Sequence, residues 1–250
     1  MPTPAVSAAD LDLLRRYDTP TVCNVIELFD LYPRTAGYMD RRIQACYPKL
    51  PPMVGFAATA TFRAAASPRS GSAYSGLVEQ IESFAQGMTP PVVVFQDIDN
   101  PPVAATFGEV LCTTYKAFGA VGLITSGAGR DLDQVEALRF PCFCDGVICA
   151  HGYCYFPQIN VPVHVGGVTI HPGDLLHGDR NGVTTIPLEV ASVVAHACEE
   201  YMAAEAVVLD YVKSGSIDAK GYARARNECR DRIDALAKKL TGHKASPKGR

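Results

Sequence analysis

The 250-residue chain lacks long hydrophobic segments, and it lacks a strong excess of either charge. No apolar run approaches the ~18 residues that cross a bilayer, so no membrane-spanning helix is expected. The formal net charge of −3 argues against a partner such as nucleic acid or an anionic membrane, because both need a basic surface. The first residues lack a basic segment followed by a hydrophobic stretch, which favours a cytoplasmic location. These absences favour a small-molecule partner.

Internal repeats and clear linkers are also missing, so the sequence predicts one domain over residues 1–240 and a flexible basic tail over residues 241–250. A hydrophobic content of 48% supports a sizeable buried core at this length. The nine cysteines form an odd set in a chain that is large enough to fold without disulfides, so reduced thiols are expected. Four of them lie between Cys142 and Cys154, where the spacing matches no paired Cys-x-x-Cys metal site and favours buried free thiols.

The middle of the chain has the pattern strand, helix, strand, helix. Two continuous apolar runs, Val92–Phe95 and Ala120–Thr125, are typical of strands that are buried on both faces. Residues 97–107 form a connection, and helices are predicted over Glu109–Phe118 and Leu132–Arg139. Because the link between the two strands is short and contains a helix, the strands should be parallel.

The flanking regions predict helices on both sides and strands between them. Before the central unit we expect a helix over Ala8–Arg16 and a second helix from Thr19, where a threonine cap precedes a proline. These are followed by a connection over 33–52, a strand over 54–63, a loop over 66–75 and a helix over 76–86. After it we expect short strands within 141–187 (147–149, 161–165, 168–170 and 183–186) and helices over Leu188–Val212 and Asp218–Leu240. The predicted fold class is α/β, with a parallel strand-helix-strand unit, a β-rich second half and long C-terminal helices.

The spacing of the central unit should bring two short segments, Gly108-Glu109 and Arg130-Asp131, to the same edge of the sheet. The helix that opens at Gly108 and Glu109 travels about 16 Å at 1.5 Å per residue. The following strand returns by roughly 18 to 20 Å at 3.3 Å per residue. Arg130 and Asp131, directly after that strand, should therefore lie beside Gly108 and Glu109, at the edge where open α/β sheets usually bind ligands.

These residue types suit the binding of a 2-oxo acid. The helix amino terminus offers unpaired N–H groups near Val110 and Leu111 that can hold a carboxylate. Asp131 offers a hard oxygen ligand for Mg²⁺ or Mn²⁺, and Glu109 can add negative charge. Arg130 offers a fixed cation for a keto oxygen or for the enolate that forms when the neighbouring carbon–carbon bond breaks. The structural alternative is a helix cap with a salt bridge, for which an Arg-Asp pair after a glycine-rich turn is also typical.

The same residues resemble the signature of the RraA-like family, which includes the 4-hydroxy-4-methyl-2-oxoglutarate / 4-carboxy-4-hydroxy-2-oxoadipate aldolases. The resemblance rests on Gly108–Leu111 and on Arg130-Asp131, with twenty residues between Glu109 and Arg130. Similar stretches span about residues 18 to 215, namely 38–43, 53–55, 161–163, 168–174 and 178–183.

The resemblance implies an α/β fold with a swivelling-domain-like core, assembled as a homotrimer or homohexamer with active sites between subunits. It implies that Asp131 binds Mg²⁺, that Arg130 contacts the oxo group of the substrate, and that residues 108–111 hold its carboxylate. It further implies that a water near Glu109 handles the proton, and it makes Glu205 a candidate acidic group supplied by a neighbouring subunit. The implied activity is that of a class II aldolase or an oxaloacetate decarboxylase-like lyase that releases pyruvate.

Several interpretations stay open, because the family is broad and the segment from Cys142 to Pro157 departs from its usual pattern. The chain could instead be a catalytically silent regulator that binds a ribonuclease, or a dehydratase or tautomerase of a small hydroxy or oxo acid. The turn Gly127–Gly129 lacks the third glycine of a dinucleotide loop. The histidines in this half favour structural or surface positions, since alternating strands and turns would scatter them (151, 164, 171 and 177).

Overall fold

A computed structural model describes residues 6–71 and 73–242. The chain divides into two compact units, one formed by Met1–Arg34 with Glu189–Arg250 and the other by Thr35–Leu188. Of the predicted basic tail, residues 241–250, the part from residue 243 onward lies outside the described residues. Every described helix is too short or too polar to span a membrane.

The described residues form seven helices and eleven strands. The helices are α1 (Ala8–Leu14), α2 (Thr19–Glu27), α3 (Leu77–Phe84), α4 (Glu109–Ala117), α5 (Leu132–Ala137), α6 (Ala191–Lys213) and α7 (Ala219–Thr241). The strands are β1 (Gln44–Ala45), β2 (Met53–Phe62), β3 (Pro91–Asp97), β4 (Ala105–Phe107), β5 (Gly122–Thr125), β6 (Ala128–Gly129), β7 (Cys142–Cys144), β8 (Val163–Val165), β9 (Val168–Ile170), β10 (Leu175–Asp179) and β11 (Gly182–Ile186).

The helical unit consists of α1, α2, α6 and α7, in which α6 packs against each of the other three. Helix α1 begins with a capping box, because the Ser7 hydroxyl accepts from the Asp10 N–H and the Asp10 carboxylate accepts from the Ser7 N–H. Helix α2 is capped by Asp18, whose carboxylate accepts the Thr21 N–H at 2.9 Å. The prediction of a threonine cap was therefore wrong by one residue, although Pro20 lies in the first turn as expected.

The α/β unit is built on a seven-stranded sheet of order β1-β7-β5-β3-β2-β10-β11. The four central strands, β7, β5, β3 and β2, are parallel, while β1, β10 and β11 pair antiparallel at the two edges. Two small sheets, the parallel pair β4–β6 and the antiparallel pair β8–β9, accompany it. The predicted parallel pairing of the central strands is confirmed by the register Val92–Gly122 to Phe95–Thr125.

The sheet is covered on both faces, as the continuous apolar runs predicted. Val93 and Phe95 belong to the hydrophobic cluster on one face, together with buried residues of α4. Val92 and Val94 belong to the cluster on the other face, which includes residues of β8 and β10. All four side chains are fully buried. Burial on both faces therefore holds β3 and its neighbouring strands in place, and with them the positions of the strand ends.

Four expectations for connections and strands were wrong. The connection 97–107 contains β4, and the connection 33–52 contains β1. The predicted strand 147–149 is no strand, since only Val147 forms an isolated bridge, with Gly129. Strand β10 was missed because its His177-Gly178-Asp179 sequence resembles a turn. It is a strand because β2 and β11 supply hydrogen bonds on both of its sides, and tertiary context of this kind overrides strand propensity.

Candidate active site

The short parallel pair β4–β6 brings the two predicted site segments together. Ala105 pairs with Ala128 and Phe107 with Gly129, so the two strands end at the same place. The Arg130 N–H then donates to the Phe107 carbonyl oxygen at 3.0 Å. Helix α4 begins directly after β4, and α5 begins shortly after β6. The two helices therefore start at one edge, as the spacing predicted.

Asp131 connects the two segments directly. Its Oδ2 accepts the Glu109 N–H at 3.0 Å and lies 3.7 Å from the Arg130 Nε. The side chains of Arg130 and Asp131 are 29% and 37% exposed. The alternative of a helix cap with a salt bridge is thus partly present. The helix that Asp131 caps is α4, however, and its side chain makes no cap on its own helix, α5. Both side chains keep access to a ligand.

Gly108 is required by the close approach of these side chains. Its backbone is extended, so its conformation does not demand glycine. A Cβ at this position, however, would lie 2.5 Å from Asp131 Oδ2 and 3.1 Å from both Cγ and Nε of Arg130. Any other residue would push the Arg-Asp pair away from the start of α4.

Asp131 itself has a left-handed backbone, with φ 53° and ψ 42°. This region is costly for residues with a side chain, although aspartate tolerates it better than most. The Asp131 carbonyl oxygen accepts the Val135 N–H at 2.9 Å, which begins α5. The turn therefore directs the carboxylate back to α4 while the chain continues into a new helix. Such backbone strain is concentrated at functional sites.

The amino terminus of α4 retains free donors. The Glu109 N–H donates to the Asp131 carboxylate. The first hydrogen bond of the helical pattern is donated by the Cys112 N–H to the Gly108 carbonyl oxygen, at 3.0 Å. The N–H groups of Val110 and Leu111 donate to no atom of residues 6–71 and 73–242. The predicted carboxylate site at residues 108–111 therefore has two amides available, while the Glu109 side chain is exposed to solvent.

A narrow cleft lies at this edge and contains residues that sequence reasoning missed. Its walls include residues 105–108, Val110, Leu111 and Arg130, together with Tyr74, His151 and Cys154. The cavity volume is about 20 Å³, which holds roughly one water molecule. The cluster of cysteines and histidines after residue 141 was the available signal. It could not identify His151 and Cys154, because only the tertiary fold brings that segment to Arg130.

The loop 149–154 is held in place by backbone contacts. The Ala105 N–H donates to the Ala150 carbonyl oxygen at 2.7 Å, and the Tyr153 N–H donates to the Ala64 carbonyl oxygen at 3.0 Å. Arg130 Nη1 lies 3.5 Å from the carbonyl oxygen of Cys149. The loop is therefore anchored to β4, to the end of β2 and to the Arg-Asp turn.

The thiols of this segment divide between core and surface. All nine cysteines are free. Cys142, Cys144 and Cys154 are buried as predicted, but Cys149 is exposed, so the prediction of a buried thiol was wrong there. Burial raises the pKa of the Cys154 thiol, while its hydrogen bond with Tyr74 and the charge of Arg130 lower it. Cys154 therefore remains a neutral thiol at the base of the cleft at neutral pH.

A second carboxylate lies behind the site, at the end of β3. Burial raises the pKa of Asp97 to about 6. Asp97 Oδ1 accepts the Asp99 N–H at 3.0 Å, whereas Oδ2 is buried without a hydrogen-bond partner in the described part of the chain. A Cβ on Gly127 would meet both Asp97 Oδ2 and Thr106 Oγ1. Asp97 therefore lies directly under the turn that leads to Arg130.

The donors at this edge fit a magnesium-like ion better than a structural zinc ion. Among the residues that the structure describes, no three His, Cys, Asp or Glu side chains form a metal-binding group. A metal at Asp131 would therefore take most of its ligands from water or substrate oxygens. Mg²⁺ is commonly bound in this way, through one or two carboxylates, whereas structural zinc needs four protein ligands.

Glu205, the candidate acidic group from a neighbouring subunit, lies half-buried on α6 in the helical unit. Burial raises the pKa of its carboxyl.

Residues 19–185 match the family described as RraA-like, Aldolase/RraA, and the chain belongs to this family. A protein of Halalkalibacterium halodurans with the provisional name 4-hydroxy-4-methyl-2-oxoglutarate aldolase is 40% identical over 100 residues. The matched region covers 40% of this chain and 48% of that protein, so the chain spans about half the length of this relative.

Two solved structures share the fold at lower identity. An uncharacterized protein from Pseudomonas syringae pv. tomato superposes with a TM-score of 0.70 at 20% identity, covering 90% of this chain and 96% of that one. RraAS2 of Streptomyces coelicolor, described as an unusual member of the RNase ES inhibitor RraA protein family, gives a TM-score of 0.64 at 23% identity, covering 82% and 97%. The predicted α/β fold class and the family resemblance are confirmed.

Proposed function

We propose that this protein is an aldolase-type, divalent-metal-dependent lyase that cleaves a carbon–carbon bond in a 2-oxo acid and releases pyruvate. The observation that carries the proposal is the contact between the two site segments, in which Asp131 Oδ2 lies 3.0 Å from the Glu109 nitrogen beside a cleft lined by Arg130. The provisional aldolase name of the 40% identical relative supports the same class of reaction.

Different residues of the chain bind different parts of the substrate. The N–H groups of Val110 and Leu111 hold the carboxylate of the 2-oxo acid at the positive end of α4. Arg130 contacts the keto oxygen and stabilises the negative charge that develops there as the bond breaks. Asp131 would hold Mg²⁺ or Mn²⁺, which supplies a further positive charge to polarise the keto group. The exposed Glu109 carboxylate orients a water that handles the proton.

Assembly into a homotrimer or homohexamer, with sites between subunits, is part of the proposal. The cleft in a single chain has room for about one water, so a 2-oxo acid needs a further wall. Val110, at the start of α4, is 79% exposed and Tyr153, in the loop 149–154, is 54% exposed, and large exposed apolar side chains beside a binding cleft favour a protein interface. Sedimentation velocity would test this prediction, and a monomer at micromolar concentration would contradict it.

A coupled assay tests the reaction. Purified protein is mixed with Mg²⁺ and either oxaloacetate or a 4-hydroxy-2-oxo diacid, and pyruvate is followed with lactate dehydrogenase. We expect pyruvate release that EDTA abolishes and that Asp131→Ala lowers by about 10²-fold or more. Asp133→Ala, at an exposed position two residues away, removes the same charge and should retain activity. Absence of EDTA-sensitive pyruvate release from all such acids would contradict the proposal.

A further inference from the structure

His151 lies in the loop 149–154, on the second wall of the cleft. Its loop belongs to the segment from Cys142 to Pro157, which contains four cysteines. His151 lines the same cleft as Arg130 and the start of α4. A titratable side chain thus faces the place where the proposed function puts the substrate.

The hydrogen bond of the His151 ring determines which nitrogen is basic. Nδ1 lies 2.8 Å from the carbonyl oxygen of Gly152. A carbonyl oxygen can only accept, so Nδ1 must carry the proton in this contact. In the neutral imidazole, Nε2 is then the unprotonated nitrogen and can accept a proton.

The loop presents this nitrogen in a fixed position. Backbone hydrogen bonds anchor the loop on both sides of His151, since the Ala150 carbonyl oxygen accepts the Ala105 N–H and the Tyr153 N–H donates to the Ala64 carbonyl oxygen. Gly152 adopts a left-handed backbone with φ 54°, and a Cβ there would lie 2.7 Å from the Ala64 carbonyl oxygen. Glycine is therefore needed for the loop to approach β2 so closely. With the loop backbone anchored and Nδ1 bonded to Gly152, the ring has a defined orientation, and a positioned base needs little reorganisation during the reaction.

The titratable side chains that line the cleft together with His151 are poor proton acceptors. Arg130, from the turn after β6, stays a cation, and Tyr74, from the loop before α3, has a pKa raised by burial. Cys154, 3.9 Å from the His151 Nδ1, has a pKa raised by burial as well. Asp131 Oδ2 accepts the Glu109 N–H. None of these three cleft neighbours, Arg130, Tyr74 and Cys154, is a base near neutral pH.

We propose that His151 is the general base that deprotonates the 4-hydroxyl group of a 4-hydroxy-2-oxo acid substrate. His151 Nε2 takes the hydroxyl proton, the oxygen forms the carbonyl of one product, and the bond between C3 and C4 breaks. The electron pair of that bond passes to the enolate of pyruvate beside Arg130. The imidazolium then releases its proton to solvent, and the enolate takes a proton from the water that Glu109 orients. The inference rests on the proposed lyase function and narrows its substrate to hydroxy acids.

Oxaloacetate provides the comparison that tests this role, because it has no 4-hydroxyl proton to remove. We expect His151→Gln to lower kcat for cleavage of a 4-hydroxy-2-oxo diacid by about 10²-fold, with less than about threefold change in KM. The acidic limb of its pH–rate profile should disappear, and added imidazole should partly rescue His151→Ala. Oxaloacetate decarboxylation by the same variants should stay within about threefold of the original protein. His164→Gln, at an exposed position on β8, is the matched control and should leave both reactions unchanged.

The outcomes separate this inference from the proposed function. If the original protein releases no pyruvate from any of these acids, the lyase function fails and the inference fails with it. If it cleaves the hydroxy acid but His151→Gln cleaves it equally well, or loses both reactions to the same extent, only the role of His151 is overturned. Oxalate, which mimics the pyruvate enolate, should bind His151→Gln with unchanged affinity. Loss of that binding would show a structural defect and overturn the inference too.

Discussion

The two sides of the cleft are built differently. One side, the strand-supported edge, consists of residues 105–111 and 128–131, which follow paired strands and open two helices. The other side, the loop 149–154, has no regular structure and is held by a few backbone hydrogen bonds. The strand-supported edge is fixed by the hydrophobic core beneath it. The loop depends on a few hydrogen bonds to distant segments, such as those to Ala64 and Ala105, so the two sides should respond differently to substitution.

The largest expected effect tests the side supported by the strands. Arg130→Ala should lower kcat/KM for pyruvate release by about 10²- to 10³-fold, because it removes the cation beside the developing enolate. Arg130→Lys should recover only part of this activity, since an ammonium group lacks the planar fork of a guanidinium. Steady-state kinetics on both variants would check this. Activity of Arg130→Ala within threefold of the original would show that this edge is a structural cap.

A smaller effect is expected from crowding the same edge. Gly108→Ala places a Cβ 2.5 Å from Asp131 Oδ2, so the Arg-Asp turn must shift. We expect about tenfold lower activity and a loss of about 1–3 kcal/mol in the free energy of unfolding. Gly87→Ala is the control, because a Cβ there would make only ordinary contacts, the nearest at 3.5 Å. Urea unfolding and the pyruvate assay measure the two effects. Equal behaviour of the two variants would refute the close-approach argument.

The loop should show a smaller loss of stability. Gly152→Ala combines a left-handed backbone with a clash at the Ala64 carbonyl oxygen, 2.7 Å away, and should cost about 1–2 kcal/mol. Gly173→Ala shares the positive φ, but its nearest contact is at 3.8 Å, so it reports the backbone cost alone. Hydrogen exchange at residues 149–154 would localise the change. Exchange that is unchanged in Gly152→Ala would show that the loop is not held as described.

The smallest effect concerns Asp97, beneath the strand-supported edge. Its folded-state pKa of about 6 lies above the ordinary value of 3.8, so the folded protein binds this proton more tightly. The resulting stability is complete below about pH 4 and is lost as the pH rises to about 6. Asp97→Asn should remove this pH dependence and become relatively more stable above pH 6 by about 1 kcal/mol, a value reduced for partial contact with water. Thermal unfolding between pH 4 and 7 measures it, and parallel curves for both proteins would contradict the assignment.

Much of the strand-supported edge could be predicted from the sequence. Val92–Phe95 and Ala120–Thr125 are apolar enough to require burial on both sides, and both lie in parallel strands. The spacing between Glu109 and Arg130 then brings the start of α4 and the Arg-Asp turn together. Helix boundaries in this unit differ by at most two residues from prediction.

The sequence by itself determined the periodic elements, because hydrophobic periodicity acts over neighbouring residues and needs no knowledge of distant partners. Only the tertiary structure decided that β10 is a strand, that Asp97 Oδ2 is buried without a partner, and that His151 and Tyr74 share a cleft with Arg130. These features depend on contacts between segments that lie far apart in the chain. Such contacts leave no period in the sequence, and they place the loop 149–154 at the site.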